Sequence, residues 1–293
     1  MSIIPVWFVL ALFCALSWSA ADAFSKRALR EHPLPAVLWV RWGYALPLLA
    51  LVSISAPVPN LDSRYWLILA LAIPLEISAG LLYLRALELS PMSLVLPFLA
   101  WTPVFTALIS FAVLGEIPGL MGASGIALVG AGSFILTWER EGGLTGIKAF
   151  VRREKGILLI LAVALIYSMT STLGKLGVSY SSPPFFGFTY ALFVTGVYTA
   201  VVLFRGGAGV VKTLRPNRWF LAVGLSSGIM IVLHFAALDL TQVAYMISVK
   251  RSSLIFSVLL GGAFFGEQRT GRRLLGAATM GIGMFLITSQ QQV

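Results

Sequence analysis

Four ionisable side chains lie inside long apolar runs of this sequence: Glu76, His234, Lys250 and Arg251. A polar or charged group is costly in hydrocarbon, so such residues usually face protein, water or a bound molecule. A carboxylate can hold a substrate ammonium, a cation can hold a substrate carboxylate, and His234 can bond a carboxylate or titrate during transport. The alternative for Glu76 is a hydrogen-bonded carboxyl that joins two helices. The alternative for the two cations is an ion pair with Glu76 or Asp239.

Aromatic residues accompany these groups. Tyr83 follows Glu76 by seven residues, about two helical turns, so the two share a helix face. Trp101 lies between Pro97 and Pro103, and prolines bend helices and create cavities and hinges. Its indole offers an apolar plane and a face for an ammonium group. The alternative for Trp101 is a membrane-interface anchor, but it lies about ten residues inside its apolar run, where anchors are less common.

Two further stripes lead from an aromatic residue to a lysine. Trp18 shares a helix face with Lys26, and Tyr167 shares one with Lys175. Each lysine either guards one mouth of a pathway or extends to the lipid headgroups. Together with Pro97 and Pro103 these lysines are the expected gating or hinge residues. The predicted substrate-binding residues are Trp18, Glu76, Tyr83, Trp101, Tyr167, His234, Tyr245, Ser248 and Lys250.

Apolar helices must position these residues, because 58% of the 293 residues are hydrophobic and 11% are charged. Mean hydropathy is +0.92. This composition excludes an ordinary soluble enzyme, a disordered chain and a nucleic-acid-binding domain. The single cysteine excludes a disulfide framework, and we expect no metal and no cofactor. Because a membrane helix needs about 20 residues, we predict ten spans, at 3–25, 34–54, 64–88, 91–114, 118–138, 156–178, 184–204, 217–238, 242–265 and 270–289.

The chain repeats itself. A slide of 151 residues aligns 85–137 with 236–288, and it places Gly115-Glu116 on Gly266-Glu267 and Tyr83 on His234. A slide of 149 places Trp18 on Tyr167 and Lys26 on Lys175. Because each repeat has five helices, an odd number, the second repeat enters from the opposite side, as in many secondary transporters. We therefore predict an all-α polytopic membrane protein with ten transmembrane helices in two inverted five-helix repeats, at 1–138 and 156–289, joined by a basic cytoplasmic connector at 139–155.

Basic residues give the expected orientation. Of the 21 Lys and Arg residues, 16 fall in loops on one face, and Arg64 alone falls on the other. The positive-inside rule makes the richer face cytoplasmic, so both termini are predicted to be periplasmic in a bacterial inner membrane. The net charge of +10 is thereby explained without nucleic acid.

The chain resembles the drug/metabolite transporter superfamily. The resemblance rests on the aromatic-Ser pairs with later lysines (Trp18-Ser19 with Lys26, Tyr167-Ser168 with Lys175), and on Arg41 early in the second span. Gly115-Glu116, followed by Gly125, Gly130 and Gly132, fits its EamA-type branch. Within that branch, the aromatic residues and Glu76 resemble bacterial aromatic amino acid exporters. The resemblance implies two five-helix repeats around a central cavity and transport of small metabolites.

A carrier explains these features better than two other classes. An intramembrane enzyme needs an acid-base or metal cluster, and the sequence has no H-E-x-x-H, no G-x-S-x-G and no close carboxylate pair. A channel needs a filter-like loop or a ring of charges. We expect export of amino acids, including aromatic ones, by a protein that acts as a monomer in the bilayer. Gly115-Glu116 and Gly266-Glu267 are expected to end helices, and Gly224-x-x-x-Gly228 to pack helices within one chain.

Overall fold

The computed structural model describes residues 4–89, 96–137, 155–257 and 271–290. Predictions for most of the connector, the start of the fourth span, the end of the ninth span and Gly266-Glu267 lie outside these ranges. The described residues form helices and no strands. The helices are α1 (Val6–Ala28), α2 (Leu34–Gly43), α3 (Leu46–Ile54), α4 (Ser63–Leu89), α5 (Thr102–Leu114), α6 (Leu120–Thr137), α7 (Lys155–Ser179), α8 (Pro183–Thr213), α9 (Arg218–Leu240), α10 (Val243–Lys250) and α11 (Gly271–Gln290), with a 3-10 helix at Leu96–Trp101 before α5.

Within the described chain, six helical segments are long and apolar enough to cross a membrane. Three shorter apolar helices correspond to the fourth, fifth and tenth predicted spans, and the described part of the ninth runs from 243 to 257. The all-helical fold is confirmed for these residues, and the count of ten spans stays a prediction. The six long segments are Val6–Ala28, Leu34–Ile54, Ser63–Tyr83, Gly156–Ser179, Pro183–Phe204 and Arg218–Leu240.

Two predicted spans have bounds that agree with the structure, but neither coincides with a single helix. The second span is two helices, because Pro47 stands in the first turn of α3 and cannot donate a backbone hydrogen bond back to α2. The seventh predicted span, 184–204, agrees with the apolar segment Pro183–Phe204, but its helix, α8, continues beyond the span to Thr213. The apolar run stops at Phe204, but a helix satisfies its own backbone groups in water as well as in lipid.

The fourth span bends where the prolines predicted a bend. Its 3-10 segment gives way to α5 at Thr102, and Pro103 occupies the first turn of α5. The helix ends as predicted at Gly115, which has a φ of 70° and donates its N–H to the carbonyl of Phe111 at 3.0 Å. This left-handed conformation favours glycine and turns the chain out of the helix.

Repeat-related helices pack in matching pairs. α1 lies along α9, and α4 lies along α7. The repeat exchanges these two pairs, because the first span corresponds to the sixth and the third to the eighth. α2 packs on α8 and α6 on α11, so each of these helices contacts its own repeat mate. The two repeats therefore interleave around a shared centre.

Small residues allow the closest of these contacts. A Cβ built on Gly125 would lie 2.6 Å from the carbonyl oxygen of Gly283, and one on Gly132 would lie 2.7 Å from that of Gly276. These glycines bring the backbones of α6 and α11 together. On α9, a Cβ on Gly224 would meet Tyr44, so the Gly224-x-x-x-Gly228 stripe packs within the chain, as predicted.

A candidate substrate cavity between the repeats

A cavity of about 140 Å³ lies between the two repeats. It is smaller than the roughly 300–1,000 Å³ of sites for drug-sized ligands, which suits a small metabolite. Its walls come from α1, α2, α4, α7, α8, α9 and the end of α10. The lining residues are Trp18, Asp22, Leu38, Arg41, Trp42, Glu76, Gly80, Tyr83, Tyr167, Thr170, Ser171, Tyr190, Tyr198, Ser227, Met230, Ile231, His234, Phe235, Ile247, Lys250 and Arg251.

The carboxylates of the cavity come from the first repeat. Asp22 accepts a hydrogen bond from the Nη1 of Arg41 at 2.8 Å, and the same contact is an ion pair. Glu76 accepts a hydrogen bond from the phenol of Tyr190 at 2.9 Å. Glu76 therefore joins α4 to α8, as its alternative interpretation expected, while it also lines the cavity. Both carboxylates have a donor in place.

The second repeat supplies two cations that have no carboxylate partner among the described residues. Lys250 and Arg251 are each 7% exposed, and neither forms an ion pair with a carboxylate of the described residues. The expected pairing with Glu76 or Asp239 is therefore wrong: Glu76 is held by Tyr190, and Asp239 lies exposed near the end of α9.

Lys250 contacts His234 and Trp18 instead. Its Nζ lies 3.3 Å from the Nδ1 of His234 and 4.1 Å from the centre of the Trp18 ring. An ammonium can only donate, so Nδ1 accepts and the imidazole is neutral in this arrangement. The aromatic face stabilises the cation through the ring quadrupole.

A helix break positions both cations. α10 ends at Lys250, residues 251 and 252 form a turn, and the chain is helical again from 253 to 257. The N–H of Arg251 bonds the carbonyls of Ile247 and Ser248, each at 3.1 Å. Cations are favoured at the carbonyl end of a helix, and interrupted helices beside a central cavity are a feature of secondary transporters.

Aromatic rings lie next to the charged groups of the cavity. Trp18 and Tyr167 meet edge to face, with 6.3 Å between ring centres. The guanidinium of Arg41 lies 5.9 Å from the centre of the same Trp18 ring. Tyr83 and His234, the other repeat-related pair, also line the cavity. Six of the nine predicted binding residues are thus brought together.

The structure does not bring the other three to the cavity. Trp101 is 47% exposed and stacks on Phe105 at 6.2 Å, so the prediction that it binds substrate is corrected. Its indole is not part of the cavity lining. Tyr245 is buried against α11, where its hydroxyl donates to Gln290 at 3.3 Å. Ser248 donates to the carbonyl of Ala244 within its own helix at 2.7 Å.

Lys175 lies at the end of α7, on the face where α9 passes into α10. Its Nζ is 2.7 Å from the Oε1 of Glu116 and 2.5 Å from the carbonyl of Thr241. The Oε2 of Glu116 accepts the N–H of Val243 at 2.8 Å. Glu116 follows the end of α5, and its side chain caps the start of α10. This network, the Glu116–Lys175 tie, joins the ends of α5, α7 and α9.

The remaining expected gating residues lie at other points. Lys26 is exposed in the last turn of α1, at the end of the molecule opposite Lys175. Pro97 lies in the 3-10 segment and Pro103 at the start of α5, so both flank the bend of the fourth span. Pro74 was not singled out, but it stands inside α4 two residues before Glu76.

Sequence reasoning missed several lining residues that the repeat could have revealed. Asp22 aligns with Ser171 and Glu76 aligns with Ser227, so one repeat has an acid where the other has a hydroxyl. Both members of each pair line the cavity. Tyr190, which aligns with Arg41, also lines the cavity and was not among the predicted residues. The alignment of polar residues between repeats was the usable signal.

The fold and cavity define a class: a helical membrane protein of two interleaved repeats around a central polar site. Two segments of the chain, 5–138 and 154–289, match the EamA-like transporter family. The chain belongs to this family, which consists of membrane transporters of small molecules. A solved crystal structure shares the fold with a TM-score of 0.77, at 17% identity over 98% of this chain and 97% of its own. No curated protein matches the chain.

Proposed function

We propose that this protein is a secondary transporter that exports small metabolites, amino acids including aromatic ones above all, by alternating access through the central cavity. One observation carries the proposal: among the described residues, one cavity is lined by carboxylates from the first repeat, by cations without carboxylate partners from the second, and by aromatic rings. This arrangement matches a zwitterion with an apolar side chain.

Each part of an amino acid has a complementary wall. The ammonium fits the side of Glu76 and Tyr190. The carboxylate fits the side of Lys250 and Arg251. An aromatic side chain fits among Tyr83, Tyr167 and Phe235. His234 stays a candidate for proton coupling, because its neutral form is the one that accepts from Lys250.

Alternating access requires that the cavity open to one face at a time. We propose that the Glu116–Lys175 tie closes one mouth, and that Lys26, its repeat counterpart at the other end, acts at the other mouth. The third and fourth spans and the eighth and ninth spans would rock about the bends at Pro74, Pro97 and Pro103. No site for a nucleotide is needed, because the gradient of substrate or protons drives the cycle.

The proposed location is the bacterial inner membrane, with both termini in the periplasm. The cavity lies within one chain, so the proposed functional unit is a monomer. A C-terminal reporter that is active only in the cytoplasm should be silent, and an active reporter would reverse the orientation.

A liposome panel tests the function. Purified protein is reconstituted, and uptake of labelled Phe, Trp, Thr and Met is measured with and without a proton gradient. We expect saturable flux of at least the aromatic amino acids, lost in Glu76→Ala. Flux at the level of empty liposomes for the whole panel would reject the amino acid proposal, and rates far above carrier turnover would indicate a channel.

A further inference from the structure

Two buried polar groups of the cavity wall have no hydrogen-bond partner within the described part of the chain. They are the Nε of Arg251 and the hydroxyl of Ser227. Arg251 is 7% exposed and Ser227 is 2% exposed. Buried polar atoms are almost always bonded, so each exception calls for an explanation. That two of them line one cavity points to a shared partner that is not part of the protein.

The charges of the cavity say what kind of partner this is. The described lining residues include three cations, Arg41, Lys250 and Arg251, and two carboxylates, Asp22 and Glu76. Both carboxylates already accept a hydrogen bond, whereas the Nε of Arg251 has no acceptor among the described residues. A buried charge without compensation is costly. An anion entering the cavity therefore supplies an acceptor that the Nε of Arg251 lacks, whereas an amine adds a donor to a carboxylate that already accepts one hydrogen bond.

We infer that Arg251 and Ser227 form the subsite for an anionic group of the substrate, and that this group, rather than an amine, is what the carrier selects. The inference rests on the proposed transport function and names its substrate class. A guanidinium offers a fork of donors that fits a carboxylate, and the serine hydroxyl adds one more donor.

Lys250 has a different part in this subsite. His234 and the Trp18 ring already engage its ammonium group. It is therefore a positioned positive charge that strengthens the attraction of an anion, while Arg251 supplies an N–H donor, its Nε, that has no acceptor among the described residues. The expected substrates are small organic anions, of which amino acids are one kind. Deaminated analogues should be accepted, and analogues with a blocked carboxylate should be rejected.

The first experiment needs no mutation. Binding of phenylalanine, phenylpropionate, which lacks the amine, and phenylalaninamide, which lacks the carboxylate, is measured on purified protein by titration calorimetry. We expect phenylpropionate to bind within a fewfold of phenylalanine and the amide to bind at least about tenfold more weakly, a difference that the loss of one charge-assisted contact produces. Equal or tighter binding of the amide would overturn the inference.

The second experiment changes the subsite. Arg251→Gln should weaken phenylpropionate binding at least about tenfold, and Ser227→Ala a fewfold. Arg251→Lys keeps the charge but loses the fork, so it should fall between wild type and Arg251→Gln. The matched control is Arg64→Gln, because Arg64 is exposed and bonds Tyr180 at 3.2 Å outside the cavity. Arg251→Gln that elutes as a single species and binds like wild type would overturn the inference.

The two proposals fail in different ways. If the protein binds phenylpropionate through Arg251 but moves no substrate in liposomes, the anion subsite is supported and the transport function is rejected. If the protein transports amino acids but binds the amide as tightly as the acid, the transport function is supported and the anion subsite is rejected.

Discussion

Lys175 and Lys250 are both lysines within predicted membrane spans, and their surroundings are opposite. Lys175 has a carboxylate at 2.7 Å and a carbonyl at 2.5 Å. Lys250 has a neutral imidazole at 3.3 Å and an aromatic face at 4.1 Å, and no carboxylate partner among the described residues. The first joins helix ends at one face, and the second lines the central cavity. The difference shows that a cation within a predicted membrane span does not by itself indicate a binding site. The partner of the cation separates a structural tie from a candidate binding group.

The largest expected effect follows from Lys250→Met. Transport should fall to the level of empty liposomes, because the cavity loses a positive charge next to its anion subsite. Thermal unfolding in detergent should be unchanged or shifted upward, because no ion pair is lost and a buried charge is removed. A variant that transports normally, or that unfolds well below wild type, would contradict this view of Lys250.

Lys175→Met should have the opposite pair of effects: stability should fall and transport should persist. Removing one partner of a half-buried pair leaves Glu116 without its cation, which we expect to cost about 1–3 kcal/mol of stability, given the 25% and 13% exposure of the two side chains. Uptake should persist, but opening of the cavity at one face should be less tightly coupled to its closure at the other. The double variant with Glu116→Gln should recover part of the lost stability, and strictly additive losses would show that the tie contributes nothing.

Two glycines give a third comparison, which concerns helix packing and involves no charge. Gly132→Ala should destabilise the protein by about 1–3 kcal/mol, because the new Cβ would lie 2.7 Å from the carbonyl of Gly276 on α11. Gly281→Ala is the matched control, since nothing lies within 4 Å of its Cβ. Neither variant should change the preference among substrates. Equal unfolding temperatures for the two variants would contradict the close α6–α11 contact.

The smallest expected effect separates two tryptophans. Trp18→Ala should weaken binding of an aromatic substrate severalfold, because the ring lines the cavity and contacts Lys250. Trp101→Ala should stay within about twofold of wild type, because its indole lies outside the cavity and half exposed. The ratio of the two dissociation constants checks this, and a larger loss in Trp101→Ala would restore the sequence-based prediction for that residue.

Several features could be predicted from the sequence because they depend on period and composition. The apolar runs gave the helical class, and the repeat led to the family that the profile match shows. Tyr83, His234, Trp18 and Tyr167 were found because aligned polar or aromatic residues stand out in apolar spans. The division of the second span was missed, although Pro47 marked it.

Other features depend on helix rotation and on pairing across the fold. Trp101 and Tyr245 were both predicted to bind substrate, but only the packed structure shows which way each side chain points. The donor that holds Glu76 comes from Tyr190, 114 residues later. The cap that Glu116 places on α10 joins residues 127 positions apart. No local pattern identifies such partners.

One measurement tests the central claim most directly: uptake of labelled phenylalanine into proteoliposomes that contain equal amounts of wild-type, Arg251→Gln or Arg64→Gln protein. The account predicts saturable uptake by wild type and Arg64→Gln that phenylpropionate inhibits and phenylalaninamide does not, together with a loss of at least about tenfold in Arg251→Gln. Equal uptake by Arg251→Gln and wild type would contradict it.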